Sequence, residues 1–542
     1  TCIRKAFDLL REHGGPDLGL ADIKADDEKT YAMLQRADSI GVFQVESRAQ
    51  MNMLPRLRPE NFYDLVIQVA IVRPGPIQGN MVHPYLKRRA NPELVVFPSP
   101  APPHDPEELH EVLKKTLGVP LFQEQAMKLA MVAARFTAEE ANGLRRAMAT
   151  FRNLGTIGRF KDMMIGRMVA RGYAPDFAAR CFAQIEGFGS YGFPESHAAS
   201  FAKLVYISAW LKCHHAAVFA CALLNAQPMG FYAPAQIVRN AQENGVEIRP
   251  LDINHSFWDN TLERRPDGAL ALRLGFRQAD GLQEADMERL TESRGAGYGA
   301  LEDVVLRAGA SGASLRKLAD ADAFRSLGLD RRAALWAVRR VPDDEPLPLF
   351  AAAAARELGA ESDAGLPDMA LSEHVVADYQ TTRLSLKGHP MAFLRAGCRR
   401  QGLLTCAGVS ASPDGARARV AGLVLVRQRP GNGKAIFITL EDETGVTNVV
   451  LWASLFERFR RAVMSARLLE VHGKVQKSPE NVVHLMAERV LDRTDALRQL
   501  SEPDPMPPQI TRIVLPPVDE PAPAHARHPR QVRILPKSRD FH

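Results

Sequence analysis

The chain has 542 residues, too many for a single hydrophobic core, so we expect about two to four domains. With 46% hydrophobic and 24% charged residues it is typical of a globular protein, and no apolar run of about 18 residues is present to span a membrane. The net charge of +6 favours a polyanionic partner only weakly, and six cysteines without a CxxC pair predict reduced thiols of a cytosolic protein and no metal site.

The first half of the chain has the apolar spacing of helices. Residues 1–12 predict an amphipathic helix, and further helical runs cover residues 26–37, 47–57 and 59–72. The chain begins inside the first of these patterns without a capping residue, so we expect an upstream part to be missing. The last run stops at Arg73, because the Pro-Gly-Pro that follows cannot continue a helix; on this stiff turn Arg73 is a candidate for an oriented contact rather than a solvated charge.

A second helical region begins at residue 107. Within it, Thr137 and Glu140 have the spacing of a capping box, and the helix that they start ends at Arg145 and Arg146. Two cations near a helix C-terminus are favoured by the helix dipole alone. They would equally suit an arginine-rich face directed at phosphates. The sequence leaves both interpretations open.

Residues 187–215, GFGSYGFPESHAASFAKLVYISAWLKCHH, join a glycine-rich turn to a long apolar helix. At about 100° per residue, the polar residues of its first turns fall within an arc of roughly 120°. A helix start with free N–H groups and hydroxyl, imidazole and ammonium side chains suits phosphate. The alternative is a helix capped by Ser196 whose polar residues are merely solvated. The polar face comprises Ser196, His197, Ser200 and Lys203.

Two weak copies of a helix-hairpin-helix motif follow the helical body. In the first, Ala279-Asp280-Gly281-Leu282-Gln283 leads into a helix, and Gln283 stands where a second glycine is usual. The second copy covers residues 314–338. The glycine-lined amides of such hairpins bind one DNA phosphate without reading sequence. A plain helical connector is the alternative.

Residues 341–365 have the composition of a linker, with prolines, an alanine run and acidic residues. The linker contains Pro346-Leu347-Pro348-Leu349-Phe350, a short apolar peptide that would suit a pocket on a sliding clamp, although the usual leading Gln is absent. From Ser501 the chain is proline-rich and ends in a basic stretch, which predicts a disordered tail with weak affinity for polyanions.

Alternating apolar residues between 417 and 494 predict five strands, with one helix at 453–464 between the third and fourth. This is the order of an OB-fold. A basic groove with an aromatic ring suits single-stranded DNA, which needs cations for its backbone and a ring for a base. Phe437 or Trp452 could instead belong to the barrel core, and we expect this for Trp452. The candidate DNA contacts are Arg427, Arg429, Lys434, Phe437, Lys474 and Lys477, together with Gly281 and Gln283 of the first hairpin.

Several long motifs occur in one order: SIGVFQVES, VAIVRPGPIQGNMV, PLFQEQAMKLAMVAARFT, LRRAM and SYGFPESHAASFA. Together they resemble the bacterial DNA polymerase III alpha subunit (C-family, DnaE type). Two departures resemble the error-prone paralogue of damage-induced translesion synthesis: Pro194-Glu195 replaces the usual Asn-Lys, and the clamp peptide lacks its Gln. A replicative alpha subunit is the alternative within the family.

The resemblance implies a multidomain, mainly helical fold with a C-terminal five-stranded OB barrel. The implied order begins with the end of a palm domain and helical fingers, followed by tandem helix-hairpin-helix motifs, a linker with the clamp peptide, the OB domain and the tail. The boundaries are 1–16, 17–250, 251–340, 341–400, 401–494 and 495–542.

The implied activity is DNA-directed DNA polymerisation, in which deoxynucleotides are added to a primer 3′ end. The family's catalytic carboxylates, which bind Mg²⁺, would lie upstream of Thr1, so this fragment is expected to hold no cofactor and to be inactive alone. The resemblance assigns triphosphate or template contacts to Arg48, Arg73, Arg145, Arg146 and Lys203, and base or sugar contacts to Tyr191, Ser196 and His197.

The implied partners are primer-template DNA and deoxynucleoside triphosphates, with the sliding clamp or accessory mutagenesis proteins as further candidates and no membrane. The implied location is the cytoplasm, at the nucleoid. Two other hypotheses are a non-catalytic DNA-binding subunit and an unrelated helical enzyme with its site at His197.

Overall fold

The computed structural model describes residues 1–72, 82–149, 154–187, 194–230, 232–341, 368–429, 433–501 and 539–540. It divides into two compact units, Thr1–Phe219 and Ala220–His542, which are described separately below. The predicted sites Arg73, Tyr191, Leu347, Leu349 and Phe350 lie outside the described residues.

The first unit is helical, as its apolar spacing predicts. Thr137 and Glu140 form the predicted capping box: the Thr137 N–H donates to Glu140 Oε2 (2.9 Å) and the Glu140 N–H to Thr137 Oγ1 (3.2 Å). The helices are α1 Cys2–Glu12, α2 Glu28–Gln35, α3 Arg48–Leu57, α4 Phe62–Ile71, α5 Val82–Ala90, α6 His110–Leu113, α7 Gln123–Ala133, α8 Ala138–Ala149, α9 Leu154–Ala170, α10 Pro175–Gly187 and α11 Glu195–His214, with 3-10 turns at Pro92–Leu94 and Lys114–Thr116.

Helices α4 and α11 form the centre of this unit and pack against each other. Every residue of α4 from Asp64 to Ile71 is buried. Helix α11 is buried along Ala198, Ala202 and Val205, and the polar residues of its first turns lie on another face. Because both helices sit in the core, groups at their ends are held in fixed positions.

Within the described residues, no single helix is long and apolar enough to cross a membrane. Helix α11 and the next helix, Ala216–Leu224, meet the length and composition criteria only as a pair, and they bend by 119° at the break between them.

The second unit begins with helices and a small sheet. Its three strands have the order β1-β3-β2, in which β1 runs parallel and β2 antiparallel to β3. The elements up to residue 341 are α12 Ala216–Leu224, which continues from the first unit, α13 Pro234–Glu243, β1 Ile248–Arg249, β2 Thr261–Arg264, β3 Leu270–Arg273, α14 Glu284–Glu292, α15 Leu301–Ala308, α16 Gly312–Asp320 and α17 Arg331–Val338, with 3-10 turns at Phe276–Gln278 and Arg325–Leu327.

The predicted OB barrel is present. Strand β4 pairs with both β5 and β7, and β6 pairs in parallel with β8, so the sheet closes. Alternate residues such as Ile436, Ile438 and Val449 point inward. The elements are α18 Leu371–Thr381, α19 Pro390–Arg400, α20 Cys406–Ala411, β4 Arg417–Gln428, β5 Ala435–Asp442, β6 Gly445–Trp452, α21 Ala453–Ser465, β7 Leu468–Lys477, β8 Val483–Asp492, a 3-10 helix Thr494–Ser501 and β9 Arg539–Asp540 beside β4.

Two boundary predictions are wrong. The linker predicted for residues 341–400 contains helices α18 and α19, and Met391 and Leu394 of α19 pack with Leu423 of the barrel. The tail predicted from residue 495 starts with an ordered turn, in which Leu497 and Leu500 are buried in the same cluster. Each segment has an apolar stripe that covers the outside of β4 and β7, which composition alone does not reveal.

Candidate functional site

The polar residues predicted on one face of helix α11 do share an exposed surface. Ser196, His197, Ser200 and Lys203 are exposed, while Ala198 and Ala202 between them are buried. The His197 ring lies 4.2 Å from the Phe201 ring centroid, and Phe201 meets Phe43 edge-on at 5.3 Å. This aromatic contact supports one side of the imidazole, and the polar face of α11 remains exposed.

The start of this helix excludes the alternative in which Ser196 is the cap. Pro194 occupies the cap position and Glu195 is the first helical residue, so Ser196 lies inside the first turn and does not cap the helix. The Ser196 carbonyl accepts a bond from Ser200 Oγ (2.9 Å). The helix therefore begins before Ser196, earlier than the alternative in which Ser196 caps it.

Carboxylates occupy the helix start that was predicted to bind phosphate. The Glu195 N–H donates to Glu124 Oε2 (2.9 Å), and Glu195 Oε1 accepts from Tyr63 Oη (2.7 Å). Burial and this bond to a carboxylate raise the pKa of Tyr63, so the phenol stays protonated and acts as the donor. The sequence had suggested that the N–H groups at this helix start are free to bind an anion. The first of them instead donates to the Glu124 carboxylate.

Three predicted arginines of the first unit lie in the described region. Arg145 and Arg146 are exposed near the end of α8, and Arg145 donates to Asn142 Oδ1 (3.0 Å from Nη2). Arg48 is half-buried and is the first residue of α3. A cation at a helix N-terminus opposes the helix dipole, so helix stability does not explain its place.

Both predicted hairpins have a glycine in the left-handed region. Gly281 has φ +84° and precedes α14, whose cap residue is Gln283; Gly328 has φ +76° and precedes α17. Lys317 Nζ donates to the Gly281 carbonyl. In the second copy, Asp322 is buried and pairs with Lys387 (3.2 Å).

Most predicted cations of the OB domain are accessible, but Arg427 is not. Arg427 is 3% exposed, and its guanidinium donates to the Val463 and Ala466 carbonyls at the end of α21. The predicted DNA contact at Arg427 is therefore wrong, because the side chain caps a helix inside the domain. Arg429, Lys434 and Lys474 are exposed, and Phe437 and Lys477 are half-buried.

Trp452, which we expected in the barrel core, is 54% exposed. It pairs with Ala435 across β5 and β6, and Phe437 pairs with Val450, so Trp452 and Phe437 lie on the same outer face. The alternation with the inward-pointing Leu451 could have revealed this from the sequence. An exposed ring beside Lys434 is the surface that stacking of a nucleobase requires.

One group in the described residues has three possible metal-ligand side chains, Asp27, Cys213 and His214, whose ligand atoms lie within 4.8 Å of one another. His214 Nε2 contacts Asp27 Oδ2 at 2.8 Å, and the same oxygen accepts from the Thr30 N–H as the cap of α2. A hydrogen bond between His214 and Asp27 and the helix cap account for this arrangement.

Comparisons with known proteins assign these parts. Residues 1–172 match the family described as the bacterial DNA polymerase III alpha subunit finger domain. The error-prone DNA polymerase of Brucella abortus biovar 1 (strain 9-941) is 59% identical over the whole of this chain and 50% of its own length. Over its whole length the chain is therefore similar to error-prone DNA polymerases, and its first part is similar to the finger domain of the bacterial DNA polymerase III alpha subunit. The error-prone DNA polymerases of Rhodopseudomonas palustris strains HaA2 and BisA53 are 59% and 60% identical, each over 100% of this chain and 50% of its own length.

The two DNA-binding parts have their own matches. Residues 245–334 match the helix-hairpin-helix motif, and residues 418–492 match the OB-fold nucleic acid binding domain. These matches confirm the predicted fold class. Asparaginyl-tRNA synthetase from Pyrococcus horikoshii is 26% identical over 16% of this chain and 22% of that one, with a TM-score of 0.15. The chain spans about half the length of the curated relatives that it matches.

Proposed function

We propose that this chain is part of an error-prone DNA-directed DNA polymerase and supplies the surface that holds the incoming nucleotide, together with DNA-binding modules. The relatives bear that name, and their 59% identity extends over the whole chain. The observation that carries the proposal is the exposed polar face of α11, which presents His197 and Lys203 on a helix anchored in the core.

The nucleotide contacts follow from the chemistry of this unit. Lys203 is a point charge suited to a phosphate, and His197 offers a flat ring and a hydrogen-bonding nitrogen for the sugar or base. Ser196 adds a hydroxyl beside them. Arg48, Arg145 and Arg146 supply further phosphate contacts to the nucleotide or template, and Arg73 and Tyr191 remain part of the proposal on the family motif alone.

The second unit would bind DNA through two modules. Backbone amides at the Gly281–Gln283 and Gly328 hairpins are suited to phosphates of the primer-template duplex. On the OB domain, Trp452 and Phe437 would stack with bases of the single-stranded template, with Arg429, Lys434, Lys474 and Lys477 along its backbone. Arg427 has no part in this path because it is buried.

Polymerisation itself would need two divalent metal ions, Mg²⁺ in our proposal, to stabilise the attacking and leaving oxygens. We place their carboxylate ligands in a part of the polymerase outside this sequence. The clamp peptide at Leu347, Leu349 and Phe350, accessory mutagenesis proteins as partners and a nucleoid location in the cytoplasm belong to the same proposal.

The test is single-nucleotide insertion by the longer polymerase chain that contains this sequence. His197→Ala should raise the KM for the nucleotide about 5- to 50-fold, because a contact made in both the ground and transition states is lost. His255→Ala, which removes an exposed histidine of the second unit, is the control and should change nothing. Equal kinetics for both variants would remove His197 from the site, and absence of insertion by the unmodified chain would favour a non-catalytic DNA-binding subunit.

A further inference from the structure

Glu195 stands between two core elements of the first unit. Its side chain accepts the Tyr63 hydroxyl (2.7 Å), and Tyr63 is the second residue of the buried helix α4. Its backbone N–H donates to Glu124 Oε2 (2.9 Å), and Glu124 is the second residue of α7. Two helices thus hold one residue, by its side chain and by its backbone.

The charge at this point is negative. Two carboxylates, Glu124 and Glu195, lie at the start of α11, where the positive end of the helix dipole favours them. A cation, Lys115, lies beside the Tyr63 ring, with its Nζ 5.4 Å from the ring centroid. A phosphate at the helix start would have to displace or approach these carboxylates.

The cation on the exposed face lies further along. Lys203 follows Glu195 by eight residues, a rise of about 12 Å along the helix axis. His197 lies between them on the same exposed surface. The face is therefore polarised, with carboxylates at its start and an ammonium two turns later, so a nucleotide would place its triphosphate toward Lys203 and its uncharged part toward His197.

We infer that Tyr63 and Glu195 are positioning residues for the incoming nucleotide, because their hydrogen bond holds the carboxylate toward α4 and away from the polar face of α11. This inference rests on the proposed function. Without the phenol, the carboxylate can rotate toward the face and repel the triphosphate. Substrate affinity then falls, whereas the chemical step, which occurs on other groups, is unchanged.

The experiment is a double-mutant cycle in the longer polymerase chain, with single-nucleotide insertion as the assay. Tyr63→Phe should raise the KM for the nucleotide about 3- to 10-fold and leave kcat within about 2-fold. The increase should shrink between about 0.05 and 0.5 M salt, because charge repulsion is screened. In the Glu195→Gln background, Tyr63→Phe should have no effect on KM, since no charge remains to be positioned.

Tyr173→Phe is the matched control, because the Tyr173 hydroxyl also donates to a glutamate, Glu108 Oε1 (2.5 Å), in the same unit. It should leave KM unchanged. The inference would be overturned if Tyr63→Phe and Tyr173→Phe had the same KM for the nucleotide. It would also be overturned if Tyr63→Phe still raised this KM in the Glu195→Gln background. Glu195→Gln alone should have a KM for the nucleotide at or below that of the unmodified chain. A higher KM for this variant would also count against the inference.

The His197→Ala measurement separates this inference from the proposed function. If His197→Ala raises KM but Tyr63→Phe does not, the nucleotide site stands and the positioning role fails. If neither changes KM, the nucleotide site itself is misplaced.

Discussion

At the scale of single residues, exposure decides which predicted DNA contacts remain available. Arg427 and Trp452 exchange their predicted roles: the arginine is buried as a helix cap, and the tryptophan lies open on the outer face of β6. Both predictions were based on the residue type, and they did not consider on which face of the strand each side chain lies. The pairing of β5 with β6 puts Ala435, Phe437, Val450 and Trp452 on one face, and this face carries the expected stacking surface.

Replacing Trp452 tests this surface. Trp452→Ala should weaken binding of a single-stranded oligonucleotide by this chain about 5- to 30-fold, because base stacking on an aromatic ring contributes about 1–2 kcal/mol. Trp452→Phe should restore much of the loss, and fluorescence anisotropy with a labelled oligonucleotide would measure both.

The control for Trp452 is Trp336→Ala, which removes another exposed tryptophan, on α17, and should have little effect on single-strand binding. Equal dissociation constants for the two alanine variants would place the single strand away from β6.

At the scale of elements, local signals and long-range contacts differ in what the sequence can reveal. The five barrel strands and the helix between the third and fourth were predictable, because alternation and turn residues are local. The bond from Tyr63 to Glu195 joins residues 132 positions apart, and no local pattern encodes it. Helix α19 was missed because its apolar stripe has meaning only against the outside of β4 and β7.

An ion-pair network joins the second hairpin copy to helix α18. Arg331, which is 1% exposed, pairs with Asp378, and Asp378 also accepts from Lys387 Nζ (2.9 Å). Asp378→Ala should lower the free energy of unfolding by about 3–5 kcal/mol, because it leaves a guanidinium buried without its counter-charge. Chemical denaturation of this chain, followed by circular dichroism, would measure the change.

The comparison for Asp378 is Asp280→Ala, which breaks an exposed pair with Arg383 (2.7 Å) between the first hairpin and the residues after α18. It should cost about 0–1 kcal/mol, since water screens exposed pairs. Similar losses for the two variants would show that burial of the Arg331–Asp378 pair is not what stabilises this contact.

At the scale of the whole molecule, each unit has a separate task in the proposed polymerase. The first unit presents an exposed polar helix face above a helical core, and the second combines two hairpins with an OB barrel. Long ordered motifs made the family predictable from the sequence. The chemistry of the polar face of α11 was less predictable, because the carboxylates at its start come from α7 and α11 together.

The most direct test of the account is primer extension with Mg²⁺ and all four deoxynucleoside triphosphates, run in parallel with this chain and with the longer polymerase chain that contains it. We predict that the longer chain extends the primer, and that this chain binds the same primer-template without extending it, because our proposal places the metal-binding carboxylates in another part of the polymerase. Extension by this chain alone, or no extension by the longer chain, would contradict the account.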